Sequence, residues 1–259
     1  METPNLDYNY WLEKWHANVG NSNLSNVSYS VFRGTLNDCE NEILKIVNDL
    51  KRSDADIIRA IDLINQWGGS ESRYFYIAKT KTLEDGQKLI RIPRELIEYP
   101  ENLAIYKRGI SLASENNPSS VNYFLQIFGI GASYIGKHAY FWSNYNLPII
   151  DAKIAGVLGY NSSEVLLRNY TYNMIINHMQ NIQKQNKLDK LFKVEKGMFA
   201  FHRNYFDNGN TKFKSDINDF TDLEYAINIA ERLDILVPQY LKIESKKWTR
   251  NKSKCLNNS

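Results

Sequence analysis

The sequence predicts a mainly α protein with one small β-hairpin. Three observations carry that reading. Apolar residues recur at helical spacing along most of the chain, the spacing turns strand-like between Arg73 and Ile92, and the prolines fall at helix boundaries. In order, residues 37–52 carry Ile43, Leu44, Ile46, Val47 and Leu50 on a helical period. Ser53 or Asp54 can cap the next helix, which runs through Ile57, Ile58, Ile61 and Ile64 to Gln66, and Gly68-Gly69 stops it. Residues 74–78 and 88–92 flank Asp85-Gly86, a hairpin signature. Helices are then expected over 103–113, 121–128, 132–145, 150–158, 163–192 and 223–236. Pro100, Pro118, Pro148 and Pro238 sit at their edges, where the missing amide proton costs least.

Composition narrows the function classes. The chain has 259 residues, 43% hydrophobic and 24% charged, as in an ordinary globular protein of one large domain or two subdomains sharing a core. That excludes a disordered chain, a collagen-like repeat and a coiled-coil rod. No apolar run is long enough to span a bilayer, and the first residues are neither basic nor apolar, so neither a membrane anchor nor a signal peptide is expected. Cys39 and Cys255 are too few for a disulfide scaffold, a four-cysteine metal site or an iron–sulfur cluster, which fits a reducing cytoplasm. A net charge of +3 does not by itself indicate nucleic acid; such a reading rests on local features. The one charged run is the basic tail at 246–259, read either as a frayed solvated end or as a phosphate contact.

The stretch from Leu125 to Tyr160 carries the chemistry. Gly129-Ile130-Gly131 joins two helical segments spanning about 118–145. Two glycines around one apolar residue suit a tight hairpin: Ile130 tucks between the helices, and the glycine N–H groups with the next helix N-terminus form an anion site. The same tripeptide also serves as a plain helix–helix turn. Asp151 follows 22 residues after Gly129, in Pro148-Ile149-Ile150-Asp151 at a helix start, within the segment 147–160. An aspartate there is either an N-cap or a functional carboxylate.

This combined pattern, G-I-G, a small residue, Ser133, then P-I-I-D and a helix, resembles the helix-hairpin-helix DNA glycosylase superfamily, which includes the 8-oxoguanine and adenine glycosylases. The glycine-to-aspartate spacing is similar to that of the adenine glycosylases. The resemblance implies a two-lobed helical fold whose hairpin, with Gly129, Ile130, Gly131 and Ser133, grips a phosphate of double-stranded DNA. Asp151 would then be the essential carboxylate at the mouth of a base pocket between the lobes. Cleaving an N-glycosidic bond builds positive charge on the sugar, which a fixed carboxylate stabilises. The target base must first be flipped out of the stack.

Two departures refine the expectation. Bifunctional members carry a lysine where this chain has Ser133, so the resemblance implies a monofunctional hydrolase that leaves an abasic site. Lys137, one turn on, reads as a solvated helix lysine, with a weak lyase role or a DNA contact left open. Many members also carry a C-terminal cysteine cluster, which this chain lacks. Asn65 and Gln66 resemble the polar helix end that fills the gap left by a flipped base, and read equally as helix C-capping. Trp67 is either core or a base-stacking surface. His138 reads as a structural histidine or a phosphate contact, and the segment Phe199 to Arg203, with His202, as pocket lining or core. No metal or organic cofactor is implied. The layout also resembles divergent bacterial glycosylase-fold proteins, some of them phage-defence enzymes that excise α-glucosylated 5-hydroxymethylcytosine. That implies a monomeric, cytoplasmic, nucleoid-associated antiviral enzyme acting on DNA with a modified base. Two alternatives stay open: repair of oxidised or mismatched purines, and a non-catalytic helix-hairpin-helix DNA-binding module.

Overall fold

Side-chain caps set where the first helices begin. Asp7 accepts from the Tyr10 amide and opens α1 (Tyr8–Trp15), which buries Tyr8, Trp11, Leu12 and Trp15. Thr35 and Asp38 exchange hydrogen bonds in a capping box that starts α2 (Leu36–Asn48), and Ser53 and Asp56 do the same for α3 (Asp54–Trp67). The computed structural model describes residues 4–24, 32–68, 75–76, 90–91, 100–127, 132–160, 169–206, 213 and 222–256. Among these the protein is mainly helical. The expected hairpin is present as its two paired ends, β1 (Phe75–Tyr76) antiparallel to β2 (Ile90–Arg91), with Phe75 opposite Arg91. Its Asp85-Gly86 turn lies outside the described residues.

The chain continues through α4 (Pro100–Ser114), α5 (Ser120–Phe124), α6 (Ala132–Trp142), α7 (Ala152–Val157), α8 (Asn169–Gln185), α9 (Leu191–Tyr205), α10 (Leu223–Arg232) and α11 (Gln239–Leu256). Three differences from the sequence reading stand out. The single helix expected over 163–192 is two helices, because Lys187 takes the left-handed conformation at φ 52°. There Leu188 N–H donates to Gln183 O and Lys187 N–H to Lys184 O, a Schellman stop built without glycine. The helix expected to reach residue 145 ends at Trp142, with left-handed Asn144 and Tyr145 following. The basic stretch from residue 246, read as a tail, continues α11 as far as Leu256.

Packing falls into two groups around a continuous core. In the first, α2 packs on α3, both pack on α6, and α4 and α5 pack on each other and on α6. In the second, α1, α7 and α8 all pack against α9, and α10 packs on α11. The N-terminal helix therefore joins the C-terminal half of the chain. Trp11 meets Phe201 edge-on at 5.4 Å between ring centres, and its indole N–H donates to Asp222. No described helix is long and apolar enough to cross a membrane.

Candidate active site

Asp151 is placed by three separate restraints. At the end of α6, Ser143 donates its hydroxyl to Tyr140 O and accepts from the Leu147 amide at 2.9 Å, which turns the chain back along the helix. Gly136 then lets that returning strand lie against α6. A Cβ on Gly136 would sit 3.2 Å from the Ile150 nitrogen and 3.4 Å from the Ile149 Cα. From α8, the buried Tyr172 hydroxyl donates to Pro148 O at 2.8 Å. With Leu147, Ile149 and Ile150 buried, the next residue can only emerge where α7 begins.

Asp151 caps α7: Oδ1 accepts from the Lys153 and Ile154 amides at 2.9 and 3.1 Å. Both readings of this residue meet here, since one carboxylate oxygen is held by the helix terminus and Oδ2 is left over. The side chain is partly exposed at the junction of α7 and α9.

Glu195, on α9, is the feature that sequence reasoning missed. It is 4% exposed, and its Oε2 has no hydrogen-bond partner. Burial is the main cause that pushes its pKa up to about 8; Lys196 and Lys137 oppose the shift, while the Asp151 and Glu40 charges add to it. The site thus holds two carboxyl groups in contrasting surroundings, one capping a helix at the surface and one dry. The only signal in the sequence was a glutamate beside the buried Val194, Met198 and Phe201 stripe.

Basic groups surround the pair. Lys153 Nζ lies 5.6 Å from the centre of the Phe199 ring. Its pKa is lowered, chiefly by partial burial and also by Arg203, with Asp151 opposing. Arg203 is exposed and Lys153 half-buried, so this edge of the site is positively charged. The segment Phe199 to Arg203 therefore divides. Phe199 and Arg203 face the Asp151 side, whereas Phe201 and His202 are buried core, with the His202 ring tilted against Phe206 at 5.0 Å.

The remaining expected residues take defined places. Lys137 is 7% exposed, not solvated: its ammonium lies 5.0 Å from the Tyr134 ring centre, and its stem passes over Gly68, where a Cβ would meet Lys137 Cδ at 3.1 Å. The lack of a side chain at Gly68 admits the lysine into the α3–α6 interface. Gln66 is neither a helix cap nor available to DNA, because its amide is occupied within the chain. Nε2 donates to Phe32 O at 2.8 Å and Leu24 O at 3.3 Å, and Oε1 accepts from Phe32 N at 2.9 Å. Asn65 is fully buried, and neither of its amide atoms has a hydrogen-bond partner. It does not cap α3; Gly68 ends that helix by donating to Ile64 O.

Trp67 is core, stacked on Tyr140 at 6.0 Å and edge-on to Phe141. His138 is structural. Its Nδ1 pairs with the Tyr106 hydroxyl at 2.7 Å, and that hydroxyl accepts from the Trp142 indole N–H at 2.8 Å. Burial, helped by Lys137, pushes the His138 pKa down to about 3 and keeps the ring neutral. Gly129, Ile130 and Gly131 lie outside the described residues; Ser133 falls in the first turn of α6, and its side chain lies outside them too.

A buried ion pair lies behind the site. Lys196 Nζ contacts Glu40 at 2.9 Å within a cage of Trp15, Phe192 and Tyr145, and the Tyr145 hydroxyl donates to the same carboxylate. This ties α2 to α9 and compensates the Lys196 charge next to Glu195. No protein-family model, curated protein or solved structure matches the chain.

Proposed function

We propose that the protein is a monofunctional DNA glycosylase of the helix-hairpin-helix type, which flips out a modified base and hydrolyses its N-glycosidic bond. The observation that carries this reading is the placement of Asp151. It is fixed by Gly136, Ser143 and Tyr172, anchored through one oxygen and left with the other at a cationic edge. A carboxylate held this way stabilises the positive charge that develops on the deoxyribose without reorganising during the reaction. Lys153 and Arg203 supply charge for the flanking phosphates. Ser133, in place of an attacking lysine, supports hydrolysis over lyase chemistry.

The substrate we favour is a hypermodified cytosine of viral DNA, α-glucosylated 5-hydroxymethylcytosine, and the role antiviral defence. Oxidised or mismatched purines are the competing substrates. The test is base release, read by mass, from duplexes carrying each of these bases, with Asp151→Asn alongside. Release of one base by the wild-type protein, lost in the variant, supports the reading. Salt-sensitive DNA binding without release from any duplex would instead favour the non-catalytic module.

A further inference from the structure

Glu195 stands on α9, against which α7 packs, and it feels the charges of Asp151 at the α7 N-terminus and of Lys137 on α6. Lys153, two residues after Asp151, lies over the ring of Phe199, one turn after Glu195. Glu195 differs from the other buried ionisable groups near it. Lys196 and Glu40 satisfy each other at 2.9 Å, and Lys137 lies against the Tyr134 ring. Glu195 has an unpartnered oxygen at 4% exposure. An ionised carboxylate without a donor is costly in such a place, whereas a neutral carboxyl there has a proton to give. No hydrogen bond of the fold runs through its Oε2.

We propose that Glu195 is the proton donor to the departing base, working beside Asp151 at the same site. This inference rests on the glycosylase reading and deepens it. Heterolysis of the bond between the sugar C1′ and the base nitrogen sends the electron pair onto the base. The Glu195 carboxyl delivers its proton to the base, which leaves neutral. Water adds to C1′, Asp151 stabilises the cationic sugar, and the proton lost by the water returns to the carboxylate pair. Base and abasic sugar are the only products.

The groups that set the Glu195 proton are all in place. Asp151 from α7 and Glu40 from α2 hold it on, Lys196 from α9 and Lys137 from α6 work to release it, and the neutral phenols of Tyr140 and Tyr145 lie within its field. Base release should therefore weaken as the solution becomes alkaline beyond pH 8, where the donor is lost.

The experiment pairs kinetics with a direct proton count. Base release is measured on duplexes carrying glucosylated hydroxymethylcytosine, 8-oxoguanine or mismatched adenine, for wild type, Asp151→Asn and Glu195→Gln, across pH. Carboxyl ¹³C NMR follows Glu195 in the wild type and in Asp151→Asn. Glu195→Gln is expected to lose about 10²–10⁴-fold in rate, to keep its DNA affinity and to lack the alkaline limb. The Glu195 resonance should titrate well above ordinary glutamates, and at lower pH once Asp151 is neutralised. Full activity in Glu195→Gln with none in Asp151→Asn would overturn the donor role and leave the glycosylase reading intact. An ordinary titration of Glu195 would overturn it as well. Absence of release by wild type from every duplex would overturn both.

Discussion

The Tyr172 hydroxyl donates to the carbonyl of Pro148 across 2.8 Å in a fully buried position, and this single bond links α8 to the chain just before Asp151. Removing the donor leaves a buried carbonyl without a partner, at a cost of about 1–3 kcal/mol. Tyr172→Phe should therefore melt several degrees lower. It should also lose base release more than DNA affinity, because the carboxylate is loosened while the cationic edge stays. Thermal melting and single-turnover release measure the two effects separately.

Gly136 makes a sharper version of the same point. A methyl group at that position meets backbone atoms of Ile149 and Ile150 at 3.2–3.4 Å, and backbone cannot swing aside as a side-chain tip can. Gly136→Ala should cost about 1–3 kcal/mol as overpacking and displace Asp151. Loss of activity with near-normal salt-dependent DNA binding is the expected pattern, and an Ala variant with wild-type kinetics would show that the close approach does not position the carboxylate.

Lys153 and Arg203 test the electrostatic edge. If they face phosphates, each Ala substitution weakens binding to all duplexes alike and reduces the slope of log affinity against log salt by about 1. Binding titrations from low to moderate salt check this. An unchanged slope in the double variant would place the DNA elsewhere.

The pH dependence of stability follows from two buried groups with opposite signs. His138 has its folded pKa depressed to about 3, so its contribution is intact above the unfolded value near 6.5 and is lost as pH falls below that. At pH 5 the loss is about 2 kcal/mol, and a non-titrating His138→Gln variant should show no corresponding drop between pH 7 and 5. Glu195 has its folded pKa raised to about 8, so its contribution is present below the unfolded value near 4.5 and is lost as pH rises toward 8. Glu195→Gln should therefore gain stability over wild type on going from pH 4.5 to 8. Chemical denaturation across that range reads both trends.

Helix starts with cap chemistry were legible in the sequence, as was the stop of α3 at Gly68, but most of the other helix stops were not. Ser53 at the opening of α3 and Asp151 at that of α7 carry cap chemistry in the side chain itself. The stops use Schellman geometry at Asn116, Asn144, Gly159, Lys187 and Asp234, and only one of those is glycine. Lys187 in particular gives no local sign that it ends a helix, and this is why α8 and α9 read as one. At the candidate site, the place of Asp151 at a helix start was legible because its motif is contiguous. Glu195 was not, because its surroundings come from α7 packing on α9, and a single glutamate beside an apolar stripe looks like a solvated edge. Lys137 misled for the same reason: its stem passes over Gly68, the residue that ends another helix.

Asp151→Asn tests the account most directly. The substitution preserves the shape and the cap to the Lys153 and Ile154 amides while removing the charge. Base release from glucosylated hydroxymethylcytosine DNA should fall by orders of magnitude, with folding and DNA affinity retained. Wild-type rates in this variant would contradict the assignment of Asp151 as the catalytic carboxylate.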